Sequence, residues 1–179
     1  LIDDLELLIV IAEITGVFVG FGALISLSHP KDVDVSQIVQ IRGVVSIGLT
    51  VFVVALFPVL LNRYGVEGHG LWFVCSLLFL VLNWGGIIQG FRESDSRALA
   101  TTQARVQPLR TLFFWLLLEV LIQVPLFLIL VGLYPELEPA FYTTSLVFNL
   151  FEGVFVLAQT VYGNATPSDS DHTPHVIHS

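Results

Sequence analysis

Charge is what this sequence has least of. Only 12% of its 179 residues are Asp, Glu, Lys or Arg, about half the share usual in a soluble domain. Lys31 is the single lysine and Cys75 the single cysteine, so an intrachain disulfide is excluded. Methionine is missing even at position 1, and residues ahead of Leu1 are therefore expected. Acidic side chains, not basic ones, open the first 28 residues, which argues against a cleavable secretory signal there. The chain also lacks any basic stripe able to neutralise phosphates, so nucleic acid is not an expected partner.

What fills the space left by charge is hydrocarbon. Hydrophobic residues make up 55% of the chain and mean hydropathy is +0.84. They fall into five runs, near 5–27, 38–61, 71–91, 111–133 and 141–162. Each is long enough to cross about 30 Å of bilayer core at about 1.5 Å per helical residue. Backbone groups in lipid must be satisfied within the segment, so each run is read as a helix. Pro30, Pro108 and the segment Pro135 to Pro139 punctuate the runs, as do Gly68 and Gly70. The expected fold is an all-α integral membrane protein. It has one five-span domain over 1–163, a short cytoplasmic connector helix over 94–107, and a disordered cytoplasmic tail over 164–179.

The few basic residues set an orientation. Arg92, Arg97, Arg105 and Arg110 surround the loop between spans three and four, and Lys31 with Arg42 surrounds the first loop. The opposite side has Arg63 alone. The positive-inside rule then predicts an outer N-terminus and an inner C-terminus, in a multi-pass protein of the cell membrane. In that frame Tyr64, Trp72, Tyr134 and Tyr142 form an outer aromatic belt. Asp3, Asp4, Glu6, Glu67, Glu136 and Glu138 form an acidic outer surface that attracts cations.

Several kinds of membrane catalyst need residues that the spans do not contain. His29, His69, His172, His175 and His178 are all expected in loops or the tail, which leaves no histidine at depth for haem, metal or acid–base work. The predicted spans contain no aspartate for a protease dyad and no lysine for a Schiff base. Their serines lack a histidine partner. No enzyme, cofactor or resident metal is expected.

The polar side chains that do enter the spans carry the functional reading. Ionisable groups at depth usually face a bundle interior or a water-filled cavity. Glu13 lies about 12 Å from one end of its span, Glu119 about 12 Å and Glu152 about 15 Å from the ends of theirs. Arg42, nearer an end, is a candidate buried ion-pair partner for Glu119 or Glu152. Gln123 follows Glu119 by one turn, Asn149 precedes Glu152 on one face, and Asn83 precedes Gly85-Gly86. Carboxylates and amides together form an oxygen-rich set suited to hard cations or protons. Gly16 and Gly20, with Gly43 and Ser46, supply small-residue faces for helix packing.

The sequence leads to a homo-oligomeric, cation-preferring channel or pore with lipid and an inorganic cation or proton as partners. Glu13 is the expected selectivity ring, and Glu119, Glu152, Asn149, Gln123 and Asn83 are further pathway residues. Two alternatives remain open. One is a proton- or cation-coupled small transporter using Glu119, Gln123, Asn149 and Glu152. The other is a non-transporting scaffold or accessory subunit, in which the same residues only hold helices together.

Overall fold

The structure is a computed structural model that describes residues 2–28, 35–92 and 108–163. It is all-helical. The long helices are α1 (Ile2–Ser28), α2 (Val35–Arg63), α3 (His69–Arg92), α4 (Pro108–Val131) and α5 (Glu138–Gly163), with a 3-10 turn at Pro135–Leu137 before α5. All five are long and apolar enough to cross a membrane. Between 22% and 33% of each apolar stretch is buried within the protein. The remaining faces carry exposed Val17, Phe113 and Val131, among many others, a surface suited to lipid. The expected connector helix and tail lie outside the described residues.

Local chemistry explains where α2 and α4 stop. Gly65 and Gly132 take positive φ of 81° and 71°, a conformation that costs glycine little because it has no Cβ. Each ends its helix in a Schellman motif. At α2 the amide of Val66 bonds Leu61 O and that of Gly65 bonds Asn62 O; at α4 Leu133 bonds Leu128 O and Gly132 bonds Ile129 O. The fourth apolar run therefore overshoots its helix, since Gly132 and Leu133 already belong to the turn.

Helices α2, α3, α4 and α5 pack in cyclic order into a four-helix ring, with α5 closing back onto α2. Helix α1 lies outside it, packed mainly on α2. Two glycines permit the close approaches. A Cβ on Gly48 of α2 would sit 2.5 Å from Val19 Cγ2 of α1, and one on Gly153 of α5 would meet Ile47 at 3.2 Å and Phe18 at 3.3 Å. Gly16 also faces α2, with Phe52 3.7 Å from a Cβ built on it, whereas Gly20 faces nothing within 4 Å.

One half of the ring is filled by Leu71, Trp72, Cys75, Phe79, Ile129 and Tyr142. Trp72 and Tyr142, expected in an outer aromatic belt, are instead buried and stand 5.5 Å apart between ring centres. The reason lies in α2. Pro58 has no N–H to give Val54 O, and the Tyr142 hydroxyl donates to that carbonyl at 2.7 Å. Pro125 similarly removes a partner from Leu121 O. One residue along, Ser145 of α5 donates to Ile122 O at 2.8 Å. The carbonyl freed by Pro58 thus becomes a cross-helix attachment point for α5. Tyr64 and Tyr134 are exposed.

Candidate functional site

The other half of the ring holds a cavity of about 220 Å³. All four ring helices line it: Ser46 and Thr50 from α2, Asn83 and Gly86 from α3, Glu119 from α4, Asn149 and Glu152 from α5. Ser46 and Gly86 are also exposed, so the cavity is open on that side. Gly43, expected at a packing face together with Ser46, is part of the same lining.

A hydrogen-bond chain runs along the wall. Asn149 Nδ2 donates to Asn83 Oδ1 at 3.3 Å, and Asn83 Nδ2 donates to Glu119 Oε1 at 3.0 Å. Gln123, one turn on from Glu119, donates its amide to the same oxygen. Helices α3, α4 and α5 are therefore tied by one network, and each amide nitrogen is directed at another member of it. Asn149 is 2% exposed, and its Oδ1 has no hydrogen-bond partner. A buried amide oxygen left unpaired costs about 1–3 kcal/mol. Among the described residues no group of three or more His, Cys, Asp and Glu side chains is placed to hold a metal ion. The donors here are two carboxylates supplemented by amide and hydroxyl oxygens.

The residues singled out from sequence separate into two places. Asn83, Glu119, Gln123, Asn149 and Glu152 converge on the cavity or its wall. Glu13 does not join them: it is exposed on α1, outside the ring, on a face shared with Ile14 and Val17. Arg42 begins the apolar stretch of α2 and is not part of the cavity lining.

Sequence reasoning missed a second polar pair. His69, expected in a loop, is the first residue of α3, and its Nδ1 lies 2.5 Å from Oε1 of Glu138, the first residue of α5. Glu138, expected on an acidic outer surface, is fully buried. It lies in the first turn of its helix, where the positive end of the macrodipole favours a carboxylate. Nothing in the spacing of 69 residues between the two could have signalled the pair. The pair joins the start of α3 to the start of α5, on the packed side of the ring.

The chain matches no protein-family model, no curated protein and no solved structure. Its functional reading therefore rests on the geometry of the bundle.

Proposed function

We propose that this chain is a cation- or proton-coupled membrane transporter with its binding site inside each subunit. The observation that carries the reading is the gathering of Glu119, Glu152, Asn83 and Asn149 around one open cavity lined by four helices of a single chain. Acidic residues at depth are expensive and commonly mark ion or proton routes. Oxygen ligands without soft donors favour hard cations or protons. In the orientation that the arginines favour, with the N-terminus outside, the cavity half of the ring lies toward the cytoplasmic side and the packed half toward the outside.

A second reading keeps the homo-oligomeric channel. Its support is the exposed position of Glu13 on an otherwise apolar face of α1, where a carboxylate in lipid is costly unless another subunit covers it. In that arrangement Glu13 lines a path between subunits, and the cavity network serves only to hold each subunit together.

Flux through purified protein in liposomes separates the readings, with subunit number counted in detergent. The transporter predicts saturable flux lost in Glu152→Gln and retained in Glu13→Gln. The pore predicts the reverse pattern from a defined oligomer. A wild type silent under pH, voltage and cation gradients would leave the scaffold as the surviving role.

A further inference from the structure

Helix α1 turns an acid away from the bundle. Its buried stripe includes Ile11, Thr15 and Gly22, and Gly22 faces Val44 and Val45 of α2. At about 100° per residue, Glu13 stands on roughly the opposite side of the helix. Glu6 and Gly20 fall within about 20° of it on that outer face, and all three are exposed. A Cβ built on Gly20 meets nothing within 4 Å. The apolar stretch of α1 runs Asp4–Leu24, which puts Glu13 near mid-span, about 14 Å or more from either end. That is too deep for a short acidic side chain to reach the headgroups. Among the described residues Glu13 has no hydrogen-bond or ion-pair partner. An acid at this depth, facing hydrocarbon, is costly unless something pairs with it.

We propose that the outer face of α1 docks a membrane helix of a different protein, one with a lysine or arginine at mid-span that pairs with Glu13. Charge complementarity selects this occupant over a second copy. All seven Lys and Arg residues of the chain stand at an end of an apolar stretch or outside all five. A second copy therefore has no lysine or arginine to set opposite Glu13, and a two-fold contact through this face brings acid against acid. A basic helix supplies the missing charge, and each ionic group relieves the cost of the other in lipid. Gly20, two turns from Glu13 on the same face, leaves room for the partner's backbone to come close. The contact lies outside the ring and is independent of what the cavity binds. It also gives Glu13 a different role from lining a path between copies.

The test uses the full chain with a donor fluorophore in phosphatidylcholine liposomes at neutral pH. The probe is a synthetic membrane-spanning helix of leucine and alanine with one central lysine, carrying an acceptor. Its control has leucine in place of that lysine. Saturable energy transfer is expected with the lysine peptide and should be about tenfold weaker with the leucine peptide. Glu13→Gln should weaken binding of the lysine peptide by about the same factor, and Gly20→Leu should weaken it as well. In Glu13→Lys the preference should reverse, toward a peptide with a central glutamate. Thermal unfolding checks that each variant is folded, and the comparison of the two peptides on wild type needs no variant. Equal binding of the lysine and leucine peptides overturns the proposal. So does no binding of either, or lysine-peptide binding that survives in Glu13→Gln. Transfer between donor- and acceptor-labelled copies of the wild type, lost in Glu13→Gln, overturns it too, because a second copy then covers the face.

Discussion

The four ring helices build two different interiors from one set of segments. In the half around Trp72, Phe79 and Tyr142, side chains fill the space and the Tyr142 hydroxyl is used to bind Val54 O of a neighbouring helix. In the half around Asn83, Glu119 and Glu152, the polar groups surround a space instead of closing it. The difference lies in what stands opposite each polar atom. A backbone carbonyl released by proline accepts a hydroxyl and locks two helices together. Asn149, beside the cavity, keeps a buried amide oxygen with no hydrogen-bond partner. Polar residues in a membrane bundle therefore cannot be assigned to glue or to function by type alone.

Substitutions in the two halves should behave in opposite ways, and their expected costs in stability fall in a clear order. Phe79→Ala empties the packed half and should destabilise the protein by about 3–5 kcal/mol, read as a large fall in the thermal unfolding midpoint in detergent. Gly48→Ala tests the contact of α1 with the ring from outside both halves. Its new methyl cannot fit beside Val19, and a loss of about 1–3 kcal/mol is expected by the same measurement. Tyr142→Phe keeps the ring but leaves Val54 O unpaired. An interhelical bond of this kind is worth about 0.6 kcal/mol on average and up to about 1.7, so a small fall in midpoint with unchanged flux is expected. Glu152→Gln should cost least, within about 0.5 kcal/mol, because it keeps the size and shape of a side chain that lines an open cavity. Liposome flux should nevertheless be lost. A Glu152→Gln protein that unfolds as readily as Phe79→Ala would erase the contrast between the halves.

The five helices were legible because an apolar run of about 20 residues has few other meanings. The cavity residues on α3, α4 and α5 were legible too, as rare polar positions on otherwise apolar helices. Their convergence was not. Glu13 and Glu152 look alike in the sequence: each is a lone acid shortly before a Gly-Val-Phe-Val run, at Gly16 and at Gly153. One is exposed on α1 and the other lines the cavity. Helix α1 is apolar on all sides, so periodicity cannot say which side turns inward. That is decided by the close approach at Gly48, a glycine that stands in no small-xxx-small pair with those noted in the sequence. The His69–Glu138 pair was hidden for another reason, since a contact across 69 residues leaves no local pattern.

The cyclic order of the ring also sets a timetable for biogenesis. A chain made from its N-terminus delivers α2, α3 and α4 before α5, yet the closing contact is between α5 and α2. The bonds from Asn83 and Gln123 to Glu119 lie wholly within α3 and α4, so an unfinished bundle can already shelter that carboxyl group. Asn149 and Glu152 arrive with the last helix. Insertion of α5 is then the step that both completes the ring and assembles the site, and a nascent chain halted before it carries the first carboxyl group of the pair without the second.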